Sequence, residues 1–249
     1  MNIVQNQNNQ YLSFEQLKAM YPEAVKDFEK QVKSTEQKDE FTQNRLGVFT
    51  ASEIYKLFTP KFEIAENETA RKYIAQKAYE KATRQRATAE IDAPSLRWGK
   101  QYEVEAITHY ERLTGNKVIS CGEDQLFFAH KEFDAGCYPD GLVKQNIVLE
   151  VKCPYNGSEH LQNIMCGKEV GSFKKLRFEY YLQTQFQLWL TDREVSHFVS
   201  YRPDIEGLPK IHLIVLPRDE FIINRLEMAV KNATEQRDAI LEALDSGLL

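Results

Sequence analysis

Apolar residues change their spacing several times along the chain, and each change marks an element. In residues 13–34, Phe14, Leu17, Met20, Tyr21, Ala24, Val25, Phe28 and Val32 recur at helical spacing. Thr50-Ala51-Ser52-Glu53 reads as a capping box, so a helix is predicted over 51–58, limited by Pro60. Further helices are predicted over 66–87 and 96–114, the second stopped by Gly115. From Lys117 the apolar residues gather into strand-length runs at 118–119, 126–128, 135–143 and 147–152, with Gly122, Asp124, Pro139, Gly141 and Asn146 between or beside them. Helical spacing returns over 158–167 and 173–191. Strand-like alternation follows over 194–201 and 210–216, and an amphipathic helix over 218–243. This order predicts an α/β fold with a central mixed β-sheet flanked by helices. The Asn/Gln-rich first ten residues are expected to be disordered. Residues 1–40 then form a polar tail and helix, and 41–249 form a single domain with no linker inside it.

Charge sharpens this picture. The net charge is −5, which argues against indiscriminate coating of DNA, because phosphate contacts need positive charge. The basic residues are clustered, however. Arg71, Lys72, Lys77, Lys81, Arg84 and Arg86 form one group, and Lys168, Lys174, Lys175 and Arg177 another. Each group reads either as a solvated helix face or as a track for nucleic acid. The polar N-terminus does not resemble a signal peptide and no run is long enough to span a membrane, so a cytoplasmic protein with no membrane partner is expected. Cys121, Cys137, Cys153 and Cys166 lack zinc-type spacing and are expected to be reduced thiols. His109, His130, His160, His197 and His212 are scattered and read as surface or satisfied core residues. No Walker loop, dinucleotide fingerprint or nucleophile elbow is present.

The sharpest chemical signal is Pro139-Asp140-Gly141 followed by Leu149-Glu150-Val151-Lys152. Asp140 sits at a bend, where a strand can aim a carboxylate into a cleft. Glu150 and Lys152 are two apart on a predicted strand and share one face, while Ile147, Val148, Leu149 and Val151 mark that strand as buried. A buried Glu and Lys are costly without partners. A structural ion pair would be one answer. The other is a metal site, since two carboxylates are the hard oxygen ligands that Mg²⁺ accepts together with waters and phosphate.

Five blocks carry a family resemblance: residues 45–53 (RLGVFTASE), 98–103 (WGKQYE), 139–142 (PDGL), 149–154 (LEVKCP), and Tyr180-x-x-Gln183-x-Gln185. In this order they resemble the phage lambda exonuclease, or YqaJ-type viral recombinase, family over about residues 41–216. The resemblance implies the restriction-endonuclease-like core of PD-(D/E)XK nucleases. It places the metal on Asp140, Glu150 and the backbone carbonyl of Val151, with Lys152 activating the nucleophilic water. Glu103, otherwise an unremarked surface acid, would bind a second metal or a metal-bound water. Gln183 would face the metal-site phosphate, with Tyr180 on the same helix face as a DNA-binding residue and Gln185 pointing elsewhere. Arg45 and Ser52 would hold the 5′-phosphate of a DNA end.

The activity so implied is 5′→3′ degradation of one strand of linear double-stranded DNA to 5′-mononucleotides, leaving 3′ single strands. Mg²⁺ would be the cofactor, with Mn²⁺ as a substitute. A homotrimeric ring, a single-strand annealing partner and a phage or prophage setting are implied with it. Rival readings are an endonuclease or a CRISPR-associated exonuclease of the same superfamily, and a catalytically silent DNA-end-binding recombination scaffold. The mid-chain cysteines weigh against the CRISPR-associated type, and intact Asp140, Glu150 and Lys152 weigh against the scaffold.

Overall fold

The structure, a computed structural model, describes residues 18–19, 22–23, 26–27, 40–89 and 93–247. Contacts divide the chain into two units, 1–43 and 44–249. In the first, the described residues 18–19, 22–23, 26–27 and 40–43 are helical; most of the predicted helix 13–34, and the first ten residues, lie outside the described residues.

In the second unit the elements run β1 (Phe49–Thr50), a 3-10 helix (Ala51–Leu57), α1 (Glu68–Thr83), α2 (Pro94–Thr114), β2 (Val118–Ile119), a short 3-10 turn, β3 (Phe128–Ala129), β4 (Ala135–Cys137), β5 (Gly141–Val143) and β6 (Ile147–Lys152). Then come α3 (Gly157–Met165), α4 (Val170–Leu176), α5 (Phe178–Thr191), β7 (Val195–Tyr201), β8 (Ile211–Pro217) and α6 (Glu220–Asp245). A five-stranded sheet has the order β2-β5-β6-β7-β8, and a three-stranded one the order β1-β4-β3. In the larger sheet only β6 and β7 are parallel, joined by a crossover that contains α3, α4 and α5. The mixed sheet with helices on it is the expected α/β architecture. No helix among the described residues is long and apolar enough to cross a membrane.

The central strand explains the arrangement. β6 is apolar on both faces because both are covered. Leu149 and Val151 pack with Ala106, Ile107 and Tyr110 of α2, while Val148 packs with Leu142 and Leu188. Each such side chain, buried fully, stabilises the fold by roughly 1.5–3 kcal/mol relative to exposure. A larger cluster, including Phe49, Ile54, Tyr73, Phe186, Phe198 and Leu226, ties the smaller sheet, α1, α5 and α6 together.

Helix ends follow local chemistry. The Asn67 side chain accepts from the backbone N–H of Ala70, which caps α1. Pro94 opens α2, and Gly115 closes it in the left-handed region at φ +68°.

Several predicted elements differ from those found. The run 135–143 is two short strands in different sheets, split at Tyr138-Pro139-Asp140. The run 173–191 is two helices, broken where Arg177 leaves the helical region. α1 stops at Thr83, short of 87. The predicted capped α-helix over 51–58 is a 3-10 helix in which Thr50 makes no side-chain cap bond. Glu53 turns instead to the ammonium groups of Lys56, at 2.5 Å, and Lys77, at 3.7 Å. Charged donors are stronger partners for a carboxylate than the orphan amide of a capping box.

Gly47, which leads into β1, has φ +73°, and a Cβ there would lie 2.7 Å from Lys81 Cβ and 3.0 Å from Lys81 Cα. Gly47→Ala is therefore expected to destabilise the protein by about 2 kcal/mol or more, from the left-handed backbone and the clash together. Urea unfolding reads this directly. An unchanged midpoint would mean that the loop can move away from α1.

Candidate active site

The step between the two sheets puts Asp140 beside β6. Its Oδ2 accepts from the Val151 backbone N–H at 2.7 Å, and its Oδ1 accepts from Gln125 Nε2 at 3.4 Å. Glu150, only 1% exposed, points from β6 toward α5. Its Oε1 accepts from Gln183 Nε2 at 2.6 Å and from Lys152 Nζ at 2.5 Å, and its Oε2 accepts from Gln187 Nε2 at 2.5 Å. Both oxygens of a buried carboxylate are thus held by donors, which offsets its desolvation.

Lys152 also lies over the Tyr180 ring, with Nζ 5.3 Å from its centroid. The Arg177 guanidinium is 4.6 Å from the same centroid, and Tyr180 stacks on buried Phe198. Tyr180 is in this way the meeting point of two cations at the edge of the cluster.

The carboxylates repel one another. Burial, and then the charge of Glu150, push the Asp140 carboxyl well above the usual range; Glu103 adds to this, while Lys152 and the Val151 N–H oppose it. Glu103, projecting from α2, is also raised by burial and then by Glu150, against Lys152 and Lys100. Burial disfavours the Lys152 ammonium, but Glu150 and Asp140 override it and hold Lys152 protonated above its ordinary range. Three acids in electrostatic contact therefore face one ammonium held between them.

This donor set fits a hard divalent cation. Among the described residues no three His, Cys, Asp or Glu side chains form a ready metal cage. A cation would draw on Asp140, Glu150, the Val151 carbonyl and water or phosphate oxygens, the mixed shell that Mg²⁺ accepts. It would also relieve the repulsion that raises Asp140 and Glu103.

Arg45 and Ser52 are paired with each other, with Arg45 Nη2 donating to Ser52 Oγ at 3.3 Å. Their loop is braced from behind. Gly47 N–H donates to Glu80 Oε2 at 3.2 Å, and the Gly47 carbonyl accepts from Arg237 Nη1 at 2.9 Å. Glu80 is itself paired with buried Lys77. The 3-10 helix that carries Ser52 packs on α5, the helix that carries Tyr180, Gln183 and Gln187.

The structure thus gathers Asp140, Glu150, Val151, Lys152, Gln183 and Tyr180 at one place, with Glu103 in electrostatic contact, and pairs Arg45 with Ser52. Gln185 points away, its amide bonded to the Pro217 carbonyl and the Asp219 N–H. Gln187 is the residue that sequence reasoning missed. It is four residues from Gln183, so the two share a helix face, and that spacing was the available signal.

The basic clusters are partly consumed by the fold. Lys77 is buried against Glu80, Lys81 pairs with Asp134, and Lys174 pairs with Asp219. His160 and His197 are buried and hydrogen-bonded to Ser200 and Tyr110, and the four cysteines are unpaired.

Residues 40–194 match the YqaJ-like viral recombinase domain. Among solved structures, the alkaline exonuclease LHK-Exo from Laribacter hongkongensis is similar with a TM-score of 0.71 and 26% identity, over 84% of this chain and 97% of that one. LHK-Exo in complex with dAMP is similar with a TM-score of 0.70 and 27% identity, over the same shares. A phage-related exonuclease from Haemophilus somnus 129PT shares the fold at 14% identity and a TM-score of 0.62, over 79% of this chain and 96% of that one. No curated protein matches the chain.

Proposed function

The chain belongs to the YqaJ-like viral recombinase domain family, and from that premise we propose that residues 41–249 form a metal-dependent 5′→3′ exonuclease acting on linear double-stranded DNA. That the chain is a nuclease of this family is supported by the likeness to LHK-Exo. The observation that carries the active-site reading is the convergence of Asp140, Glu150 and Lys152 at β6.

Asp140, Glu150 and the Val151 carbonyl would hold Mg²⁺, or Mn²⁺ in its place, and Glu103 would bind a second ion or a water beside it. Bound there, the cation supplies Lewis-acid stabilisation of charge on the phosphoryl oxygens. Gln183 and Gln187 keep the Glu150 oxygens from rotating, so the carboxylate is set before substrate arrives. Lys152, held protonated, acts as a hydrogen-bond donor and fixed positive charge, orienting the attacking water and neutralising the charge that develops on the oxygens of the pentacoordinate phosphorus. Tyr180, with Lys152 and Arg177 at its ring, would take part in binding the DNA. Arg45 grips a 5′-phosphate and Ser52 adds a hydroxyl, giving the enzyme its preference for phosphorylated ends.

The products would be 5′-mononucleotides and a 3′ single strand. LHK-Exo has been solved with dAMP, a nucleotide of that kind. A homotrimeric ring, a single-strand annealing partner and a cytoplasmic setting in a phage-carrying host complete the reading.

The test is digestion of a linear duplex labelled on one strand, with 5′-phosphate or 5′-hydroxyl ends, in Mg²⁺ or EDTA, beside a supercoiled circle. The expected result is loss of the phosphorylated strand, none in EDTA, and an intact circle. Arg45→Ala should reduce the preference for the phosphorylated end at least about tenfold, as loss of a charge-assisted contact does. Nicking of the circle would replace this reading with an endonuclease. Folded protein that binds ends without cutting would replace it with a scaffold.

A further inference from the structure

An aromatic cluster stands next to the carboxylates and has no part in holding them. Trp98 and Tyr102 lie one turn apart on α2, with ring centroids at 4.4 Å. Tyr155, just beyond the end of β6, meets Trp98 edge to face at 5.7 Å and 80°. Tyr102 precedes Glu103, and Tyr155 follows Lys152-Cys153-Pro154, so the chain ties both rings to the acidic cluster. Tyr102 also packs against the core that contains Val151 and Cys153.

The cluster is fixed in place. Arg202, at the end of β7, donates to the carbonyls of Pro154 and Tyr155 and lies 5.3 Å from the Trp98 ring centroid. Yet Tyr155 is 54% exposed, and the buried Nε1–H of Trp98 has no acceptor among the described residues. A rigid, half-open aromatic face backed by a guanidinium has the chemistry of a site for an unpaired nucleobase.

We propose that Tyr155, supported by Trp98 and Arg202, stacks a base of the DNA strand that passes the acidic cluster. Such a contact takes any base, because every base has a π face, and it suits an enzyme that must process all sequences. It holds the nucleotide by its base while Lys152 and the carboxylates address its phosphate. The inference rests on the nuclease reading of the neighbouring cluster, but its test needs no cleavage.

Fluorescence anisotropy in EDTA would compare a labelled single-stranded thymidine oligonucleotide with the same strand made abasic, which keeps the phosphates and removes the stacking faces. Wild type should bind the thymidine strand about tenfold more tightly than the abasic one. Tyr155→Ala should lose that preference while binding the abasic strand as wild type does, and Tyr155→Phe should keep it. Equal binding of both strands by wild type, or an undiminished preference in Tyr155→Ala, would overturn the proposal. If Tyr155→Ala fails to fold, Tyr155→Leu, which keeps an apolar side chain but removes the ring, takes its place in the same comparison. A protein that prefers bases but never cuts DNA would sink the nuclease reading and leave the stacking site; an active enzyme indifferent to bases would do the reverse.

Discussion

Asp140→Asn is expected to lower strand degradation about a thousandfold and, in EDTA, to raise the melting temperature. The first effect follows from losing one of the two carboxylates proposed to hold the cation, at the point where β5 meets β6. The second follows from electrostatics. Burial and the neighbouring Glu150 hold the Asp140 carboxyl well above its usual range, so its charged form is unfavourable in the folded state. The asparagine oxygen can still accept from Val151 N–H, so the neutral side chain keeps the contact and removes the repulsion.

The same reasoning fixes a pH dependence. A carboxyl raised on folding binds more protons in the folded than in the unfolded state, so the contribution of Asp140 to the stability of metal-free wild type should grow as pH falls through the raised value. That gain ends near the unfolded value of about 3.9. The Asn variant lacks this contribution. Thermal melts in EDTA across that range, beside a duplex-digestion assay in Mg²⁺, test both halves. A variant less stable than wild type would refute the repulsion argument, and near-normal cleavage would remove Asp140 from the chemistry.

Arg237→Met should cost about 3 kcal/mol of stability. Arg237 is fully buried, and its guanidinium bonds to Asp134 at 2.7 Å, to Asp238 at 2.6 Å and to the Gly47 carbonyl at 2.9 Å. Asp134 and Asp238 are 43% and 45% exposed, so water can replace their lost donor, which places the cost at the lower end for a broken buried pair. The Gly47 carbonyl is left buried without its donor, and that supplies much of the loss. Because Gly47 leads from Arg45 into β1, the proposed preference for 5′-phosphorylated ends should weaken too. Urea unfolding and the phosphate-against-hydroxyl digestion would be read together. A change below about 1 kcal/mol would mean that methionine packing compensates for the ion cluster.

Much of the architecture was legible in the residues because burial left a pattern. β6 was found at its true limits, since an unbroken apolar run carrying only Glu150 and Lys152 has few other interpretations. α2 was located by its spacing and by Gly115. What was hidden depended on partners far along the chain. The break at Arg177 has neither proline nor glycine to announce it; the Arg177 N–H ends α4 on the Phe173 carbonyl, and the Arg177 carbonyl accepts from Tyr181 at the start of α5. The split of 135–143 arises because β4 pairs with β1 while β5 pairs with β2 and β6, a choice made by strands elsewhere. Thr50-x-x-Glu53 gave a false capping signal because Lys56, one turn on, and Lys77, on another helix, claim the glutamate. Gln187 went unnoticed because a glutamine on an apolar helix has no character of its own until Glu150 is placed beneath it.

The bond between Gly47 and Arg237 spans 190 positions in the chain. On a ribosome adding about 5–20 residues per second, the Arg45 loop emerges roughly 10–40 s before its buttress is made. The strand bearing Glu150 and Lys152 is synthesised about midway through that interval, while the loop still lacks the guanidinium that fixes it. Translation order therefore delays the bracing of the Arg45 loop until the last helix docks, well after the strand that carries Glu150 and Lys152 has left the ribosome.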